Sequence, residues 1–257
     1  MVKKAFTINQ FRTAEEINSY KELLVNNIYQ AIEIFYPYDR DDEAKMVYAN
    51  SIKSLLEYNP EVVLHLPFGK NNNLLINEDG IIISRIKDSI DYGKSLKAKK
   101  FTLHLGYATN NRSEDIMRII EILKELTLYD KDIFIMIENM PSNNELGYSP
   151  KEIRYIIDAV GMDNLKFILD TGHANVSQFT ISDYLTLLKN DLYHVHLNDN
   201  KGFKDEHARI GSGNIDFKTF FKENINYKEL YCSEIIYKDK EDLLQYALDI
   251  DNCLNSW

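Results

Sequence analysis

The sequence predicts an α/β fold, a single (β/α)8 TIM barrel domain over residues 1–257, and three observations predict it. Eight short apolar runs recur at intervals of about 30 residues, the size of one βα unit. Longer amphipathic stretches alternate with them. No Pro-, Gly- or Ser-rich linker divides the chain. A doubly wound open sheet, the rival architecture, expects a G-x-G-x-x-G turn after its first strand, and Thr7-Ile8-Asn9-Gln10 supplies no such loop.

The predicted strands are Ala5–Ile8, Ala31–Tyr36, Val62–Pro67, Phe101–Gly106, Ile133–Glu138, Leu165–Asp170, Leu192–Leu197 and Leu230–Ile236. They are rich in Val, Ile, Phe and Tyr and apolar on both faces, as strands covered on both sides should be. Helical patterns run over Ala14–Asn26, Asp41–Tyr58, Gly80–Ala98 and Ser113–Thr127, and Asp239–Leu254 follows the last strand. Thr13, Ser113 and Ser149 (ahead of Pro150) are the expected N-caps.

Composition narrows the class. With 44% of 257 residues hydrophobic, the chain can bury a large core without staples. Two cysteines, Cys232 and Cys253, are too few for a disulfide framework. Met1–Gln10 has no apolar signal-peptide centre, and no stretch approaches the roughly 18 apolar residues of a membrane span. The expectation is a cytoplasmic protein with no membrane partner and with self-association into a homo-oligomer left open. Thirty Lys+Arg against forty Asp+Glu, a net charge of -10, disfavour a broad nucleic-acid surface but leave a local one open.

The polar residues are placed unusually. His65 and His104 end the third and fourth runs, Glu138 the fifth, Asp170 the sixth with His173 three residues on, His196 the seventh, and Glu234 the eighth; Asp205 and His207 lie in the loop after the seventh. Taken singly, a histidine in an apolar run reads as a hydrogen-bonded core residue. Asp170-Thr-Gly-His173 alone reads as a capped turn, and Asp205-Glu-His207 as a solvated loop. Six repeats in register with the barrel are another matter. The C-terminal strand ends form the active face of such barrels, and a mixed imidazole–carboxylate set there suits zinc or manganese. Crowded carboxylates also need a neutralising cation.

Other residues carry weaker signals. His194 shares a face with His196 one layer deeper, as a supporting or core residue. Cys232 reads as barrel filling, and Gly211-Ser-Gly213 as a tight turn rather than a phosphate cradle. Glu33, inside the second run, needs a buried partner and reads equally as structural or as orienting substrate or a ligand.

The segments Ala31-Ile-Glu-Ile-Phe, Ile137-Glu-Asn-Met, Leu169-Asp-Thr-Gly-His-Ala-Asn, His194-Val-His-Leu-Asn-Asp and Asp205-Glu-His-Ala-Arg-Ile-Gly-Ser-Gly-Asn-Ile-Asp, with Ser233-Glu-Ile-Ile, resemble the xylose isomerase-like barrel superfamily. Its sugar-phosphate isomerases and epimerases imply one metal held by Glu138, Asp170, His196 and Glu234, with His173 on the substrate. Its endonuclease IV members, which cut DNA at abasic sites, imply three zinc ions on His65, His104, Glu138, Asp170, His173, His196, Asp205, His207 and Glu234. All nine residue types are present. Two features depart from the nuclease pattern: Leu105-Gly-Tyr stands where Pro-Gly is usual, and the loops are short.

The reading favoured at this stage is a metal-dependent sugar or sugar-phosphate isomerase/epimerase binding one to three zinc or manganese ions. Glu138 and Glu234 would move a proton through an enediolate, with His173, Arg209 and Glu33 contacting substrate. Zinc-dependent cleavage at abasic DNA is the alternative.

Overall fold

A computed structural model of the chain describes residues 2–76 and 80–255. Eight parallel strands close into a barrel in sequence order. Around the ring run β1 (Lys3–Ile8), α1 (Ala14–Ser19), α2 (Lys21–Val25), β2 (Ala31–Phe35), α3 (Asp42–Leu55), β3 (Glu61–His65), α4 (Ile81–Ser95), β4 (Lys100–Leu103) and α5 (Arg112–Tyr129). The second half continues with β5 (Phe134–Glu138), α6 (Pro150–Val160), β6 (Leu165–Asp170), α7 (Thr171–Val176), α8 (Ile181–Leu188), β7 (Leu192–Leu197), α9 (Phe217–Glu223), β8 (Leu230–Ser233) and α10 (Lys240–Leu254). The predicted runs overshoot β4 and β8 by three residues each, because the chain leaves the ladder there.

Local chemistry sets the helix starts. Thr13 and Glu16 form a reciprocal capping box on α1, and Asp41 and Asp239 cap α3 and α10. Pro150 opens α6 as expected. Ser113, the expected cap of α5, lies inside the helix; Asn111 accepts the Glu114 N–H instead. The stretch Ala14–Asn26 is two helices rather than one. The break falls at Tyr20, whose buried ring packs edge-on against Phe6 and Tyr237.

The outward strand faces bury against the helices in one large core, while the barrel interior is a smaller, separate stack of Ala5, Ala31, Val63, Met136, Ile168, Leu230 and Cys232. Small and branched residues fill this floor, as a closed eight-stranded barrel requires. Below it Lys100 pairs with Glu61 and Glu229 at 2.9 and 2.8 Å. In β7 the register slips by one, pairing Phe167 with Leu192 but Ile168 with His194. The extra residue, Tyr193, packs beside Phe134. This bulge sets the register in which Asp170 pairs with His196 at the strand ends. No helix among the described residues is long and apolar enough to cross a membrane.

Gly93 shows how tightly the helices seat. A Cβ there would lie 2.7 Å from Phe101 Cε1 and 3.3 Å from Leu64 Cβ, so α4 rests directly on β3 and β4. Gly93→Val is therefore expected to destabilise the protein by about 1–3 kcal/mol through overpacking, read as a lowered Tm against an unchanged Lys94→Ala control.

Candidate metal centre

Seven of the nine residues sit on or directly behind β3 to β8, Asp205 and His207 lie on the β7–α9 loop, and the fold brings all nine to one mouth. They form three groups. In the first, His104 Nε2 lies 3.0 Å and His65 Nε2 3.8 Å from Glu138 Oε2. In the second, His196 Nδ1 stands 3.2 Å from Glu138, 3.8 Å from Asp170 and 3.0 Å from Glu234. In the third, Asp205 Oδ2 lies 3.3 Å from His173 Nε2 and 2.9 Å from His207 Nε2. Within each group, one donor atom per residue lies within 4.8 Å of the others, and Glu138 belongs to two groups.

The imidazoles are pre-oriented. His65 Nδ1 meets the Leu66 carbonyl at 2.9 Å, His173 Nδ1 the Asn139 carbonyl at 2.8 Å, and His207 Nδ1 the Glu234 carbonyl at 3.1 Å. A ring nitrogen that donates to a carbonyl leaves the other as a lone pair, and in all three that other nitrogen, Nε2, faces the carboxylates. His196 does the same with reversed atoms: Nε2 faces Glu33 at 2.9 Å and Nδ1 faces the cluster. This is how metal-ligating histidines are held. Glu234 Oε2 and Asp205 Oδ1 are buried without a hydrogen-bond partner, so the donor set has capacity left for a cation. The residues fit one to three divalent ions.

Electrostatics agree. Burial pushes the Glu138 carboxyl up, but His196 and His104 outweigh it and hold it well below the usual range. Glu234 is brought to about 2, again against burial, chiefly by His196. Burial, reinforced by Glu234, Asp205 and Glu138, lifts Asp170 to about 8 despite His173. The imidazolium forms of His173 and His196 are favoured well beyond the usual range and that of His207 to about 10, because neighbouring carboxylates outweigh burial. Without a cation, the cluster neutralises itself with protons.

Two expected substrate contacts have partners within the protein. Arg209 Nη2 pairs with Asp249 on α10 at 2.6 Å, which turns the guanidinium away from the cavity. Glu33 lies beneath the cavity floor, fully buried, accepting from Thr102 at 2.7 Å and facing His194 and His196 at 2.8 and 2.9 Å. Those bonds satisfy it and orient His196. His194 is the core residue the sequence suggested.

The supporting shell was not legible beforehand. Asn139 accepts the Asp170 N–H at 2.7 Å, and Asn198 donates to Asp170 Oδ2 at 2.8 Å. Gly172 allows this, since a Cβ there would collide with the Asn198 side chain. Asp199 accepts the amides of Gly211 and Gly213, both at 2.9 Å, which confirms the tight turn and occupies the amides a phosphate cradle would need. The available signal was the run Asn198-Asp199-Asn200 behind His196: three polar residues in a row at a strand end are buried only where most of their polar atoms find partners.

The groups line a cavity of about 670 Å³, whose walls include Phe35, Phe68, Tyr107 and Glu145. His207 adopts a left-handed backbone, φ 44°, uncommon for a non-glycine residue.

The family model for the xylose isomerase-like TIM barrel matches residues 24–252. An uncharacterised protein of Methanocaldococcus jannaschii, MJ1311, is 32% identical over 65% of this chain and 62% of its own length, so the chain spans less than two thirds of that relative. A protein of Carboxydothermus hydrogenoformans named probable endonuclease 4 is 28% identical over 78% of this chain and 79% of its own. A solved D-tagatose 3-epimerase-like protein superposes with a TM-score of 0.75 at 25% identity, covering 98% of this chain and 99% of that one.

At pH 7 the metal-free cluster holds protons on His173, His196, His207 and Asp170, all raised as described, and ligation requires them bare. Binding of zinc or manganese is expected to release protons and to strengthen as pH rises from 6 to 8, measured by titration calorimetry in buffers of differing ionisation enthalpy; proton uptake would contradict this. Glu33→Gln should weaken binding by about 10- to 100-fold through loss of His196 orientation, read in the same titration.

Proposed function

The chain belongs to the xylose isomerase-like TIM barrel family, whose members are enzymes, and on that premise we propose that it is a metal-dependent phosphoester hydrolase cutting DNA at abasic sites. One observation carries the reading: the nine residues make three groups rather than one, two of them sharing Glu138. A single-ion isomerase uses Glu138, Asp170, His196 and Glu234, with His173 on the substrate, and leaves the oriented His65, His104 and His207 without a task. Multinuclear centres suit phosphoryl chemistry, in which attacking and leaving oxygens both need stabilisation. The relatives named probable endonuclease 4 support the substrate class.

His65, His104 and Glu138 would hold one ion, Glu138, Asp170, His196 and Glu234 a second, and His173, Asp205 and His207 a third. When bound, divalent ions supply Lewis acidity to the phosphate and acidify water. The chain's own residues do the rest. Asn139 and Asn198 fix Asp170, and Glu33 fixes His196, so the donors cost little reorganisation. Phe35 and Phe68 restrict water on one side of the mouth. Glu145, on the cavity wall, has a carboxyl raised by burial, the direction a proton donor to a leaving alkoxide needs.

A second reading keeps the isomerase/epimerase assignment, supported by the four-residue group in which Glu138 and Glu234 reach across the barrel to the same His196 nitrogen. There the two carboxylates would remove and return a proton beside a sugar carbonyl.

One comparison separates them. Loaded with zinc or manganese, the protein is expected to incise a duplex carrying a single abasic site, and His65→Ala or His104→Ala should reduce kcat/KM by at least about 10- to 100-fold, as loss of a ligand must exceed loss of its support. Deuterium incorporation from heavy water into a ketose, persisting in His65→Ala and without incision, would establish the epimerase instead.

A further inference from the structure

Beneath the mouth the barrel brings together a fourth set of donors, Glu33, His194, His196 and Cys232, with one donor atom from each within 4.8 Å of the others. It differs from the three groups above in two ways. It contains a sulfur, which none of them has, and all four of its side chains are fully buried.

Strand register assembles this set. Glu33 lies on β2, two residues past Ala31, and Cys232 lies on β8. At the level of Cys232 the intervening β1 offers only the methyl group of Ala5, which pairs with both Ala31 and Cys232, so carboxylate and thiol meet across it. His196 pairs with Cys232 on the neighbouring strand, and Nε2 of His194 and of His196 converge on Glu33 Oε2 at 2.8 and 2.9 Å.

Hydrogen bonding alone explains this crowding poorly. Glu33 already accepts from Thr102 at 2.7 Å, so one imidazole would complete it and neutralise it. Two imidazoles and a thiol surround the same carboxylate instead. His194 Nδ1 is left buried with no hydrogen-bond partner, a cost that such a scheme does not offset. Burial, with Glu33 beside it, pushes the Cys232 thiol up, so without an ion this sulfur keeps its proton. A coordinated cation is what makes a buried thiol give that proton up.

We infer that Glu33, His194, His196 and Cys232 form a closed structural zinc site beneath the open centre. Donor chemistry names the metal, because thiolate, imidazole and carboxylate are the zinc ligands, four of them make its usual coordination, and sulfur disfavours manganese and magnesium. Charge agrees: one thiolate and one carboxylate cancel a dication in a layer that water does not reach. Enclosure agrees as well. Structural zinc sites leave no position open, whereas most donors of the three groups above line the cavity. Sealed between the apolar floor and the ligand layer, the ion enters as the chain folds and leaves only when it opens. His196 then serves two ions, through Nε2 below and Nδ1 above, as a bridging imidazolate, so the deep ion fixes the ring on which the second group depends. The inference holds whichever reaction the mouth performs.

The test uses the full chain, produced with zinc and separately with cobalt(II), then dialysed against a chelator that reaches the open centre. One ion per chain is expected to survive dialysis. The zinc form should show a sulfur shell at about 2.3 Å in X-ray absorption, and the cobalt form a near-ultraviolet thiolate-to-cobalt band. No donor of the mouth is a sulfur, so both signatures belong to the deep set. Cys232→Ala should lose the retained ion and both signatures, with a lowered Tm, and Cys253→Ala should keep them all; the two wild-type measurements decide the matter if the first variant does not fold. Loss of all metal on dialysis, a retained ion bound by nitrogen and oxygen alone, or signatures that vanish in Cys253→Ala and persist in Cys232→Ala would each overturn the inference. A wild type that keeps a sulfur-bound ion yet neither incises abasic DNA nor epimerises a ketose supports this site and sinks the reading of the mouth instead.

Discussion

Glu138 is the group on which the active face depends. It is a carboxylate with 1% exposure at the end of β5, and water cannot reach it to pay for its charge. Instead its two oxygens face four imidazoles, those of His65, His104, His173 and His196, from β3, β4, the β6 end and β7. A buried charge on this scale is tolerated only where opposite charge and hydrogen bonds converge on it. Everything around it follows from that requirement. The imidazoles must face inward, their far nitrogens must be tied to carbonyls or to Glu33, and the ties must themselves be held by the barrel.

The same demand explains the layering of the interior. An apolar floor of alanines and branched residues is followed by a polar layer of Glu33, Thr102 and His194, then by the ligand layer. The intermediate layer supports the layer above it, Glu33 facing both His194 and His196. It converts a dry core into a platform on which charged groups are bonded from below, and it explains why a glutamate can sit fully buried in β2. The β7 bulge belongs to this design, since it sets the register of the strand that carries both His194 and His196.

Above the ligands, the loops after β6 and β7 form a second network. Asn139, Asn198, Asn200 and Asp199 spend their hydrogen bonds on the Asp170 backbone and carboxylate, on the Gly172 carbonyl and on the Gly211–Gly213 turn. This polar shell links the third group to the second, since His173 is both a donor of the third group and the residue whose N–H caps on Asp170 at 2.7 Å.

Much of this was legible in the chain. Period and residue type marked all eight strands, because a strand buried on two faces must be a continuous apolar run. The nine donors stood out because ionisable residues at the ends of such runs are costly without a purpose. The cap at Thr13 and the opening of α6 at Pro150 followed from local backbone chemistry alone, whereas Asn111 rather than Ser113 caps α5. Three kinds of fact required the fold. The sorting of nine donors into three groups depends on distances across the barrel, which sequence spacing does not contain. The roles of Glu33 and Arg209 turned on partners 161 and 40 residues away, His194 and Asp249, which pointed one side chain beneath the site and the other out of it. Finally, the exposure of Phe203 could not be read from its type, since a phenylalanine between lysines is equally a core or a surface residue until the loop around it is closed. Local sequence determined where each group lies along its strand; only closure of the ring decided which groups meet, because proximity in a barrel is set by strand order and stagger rather than by chain distance.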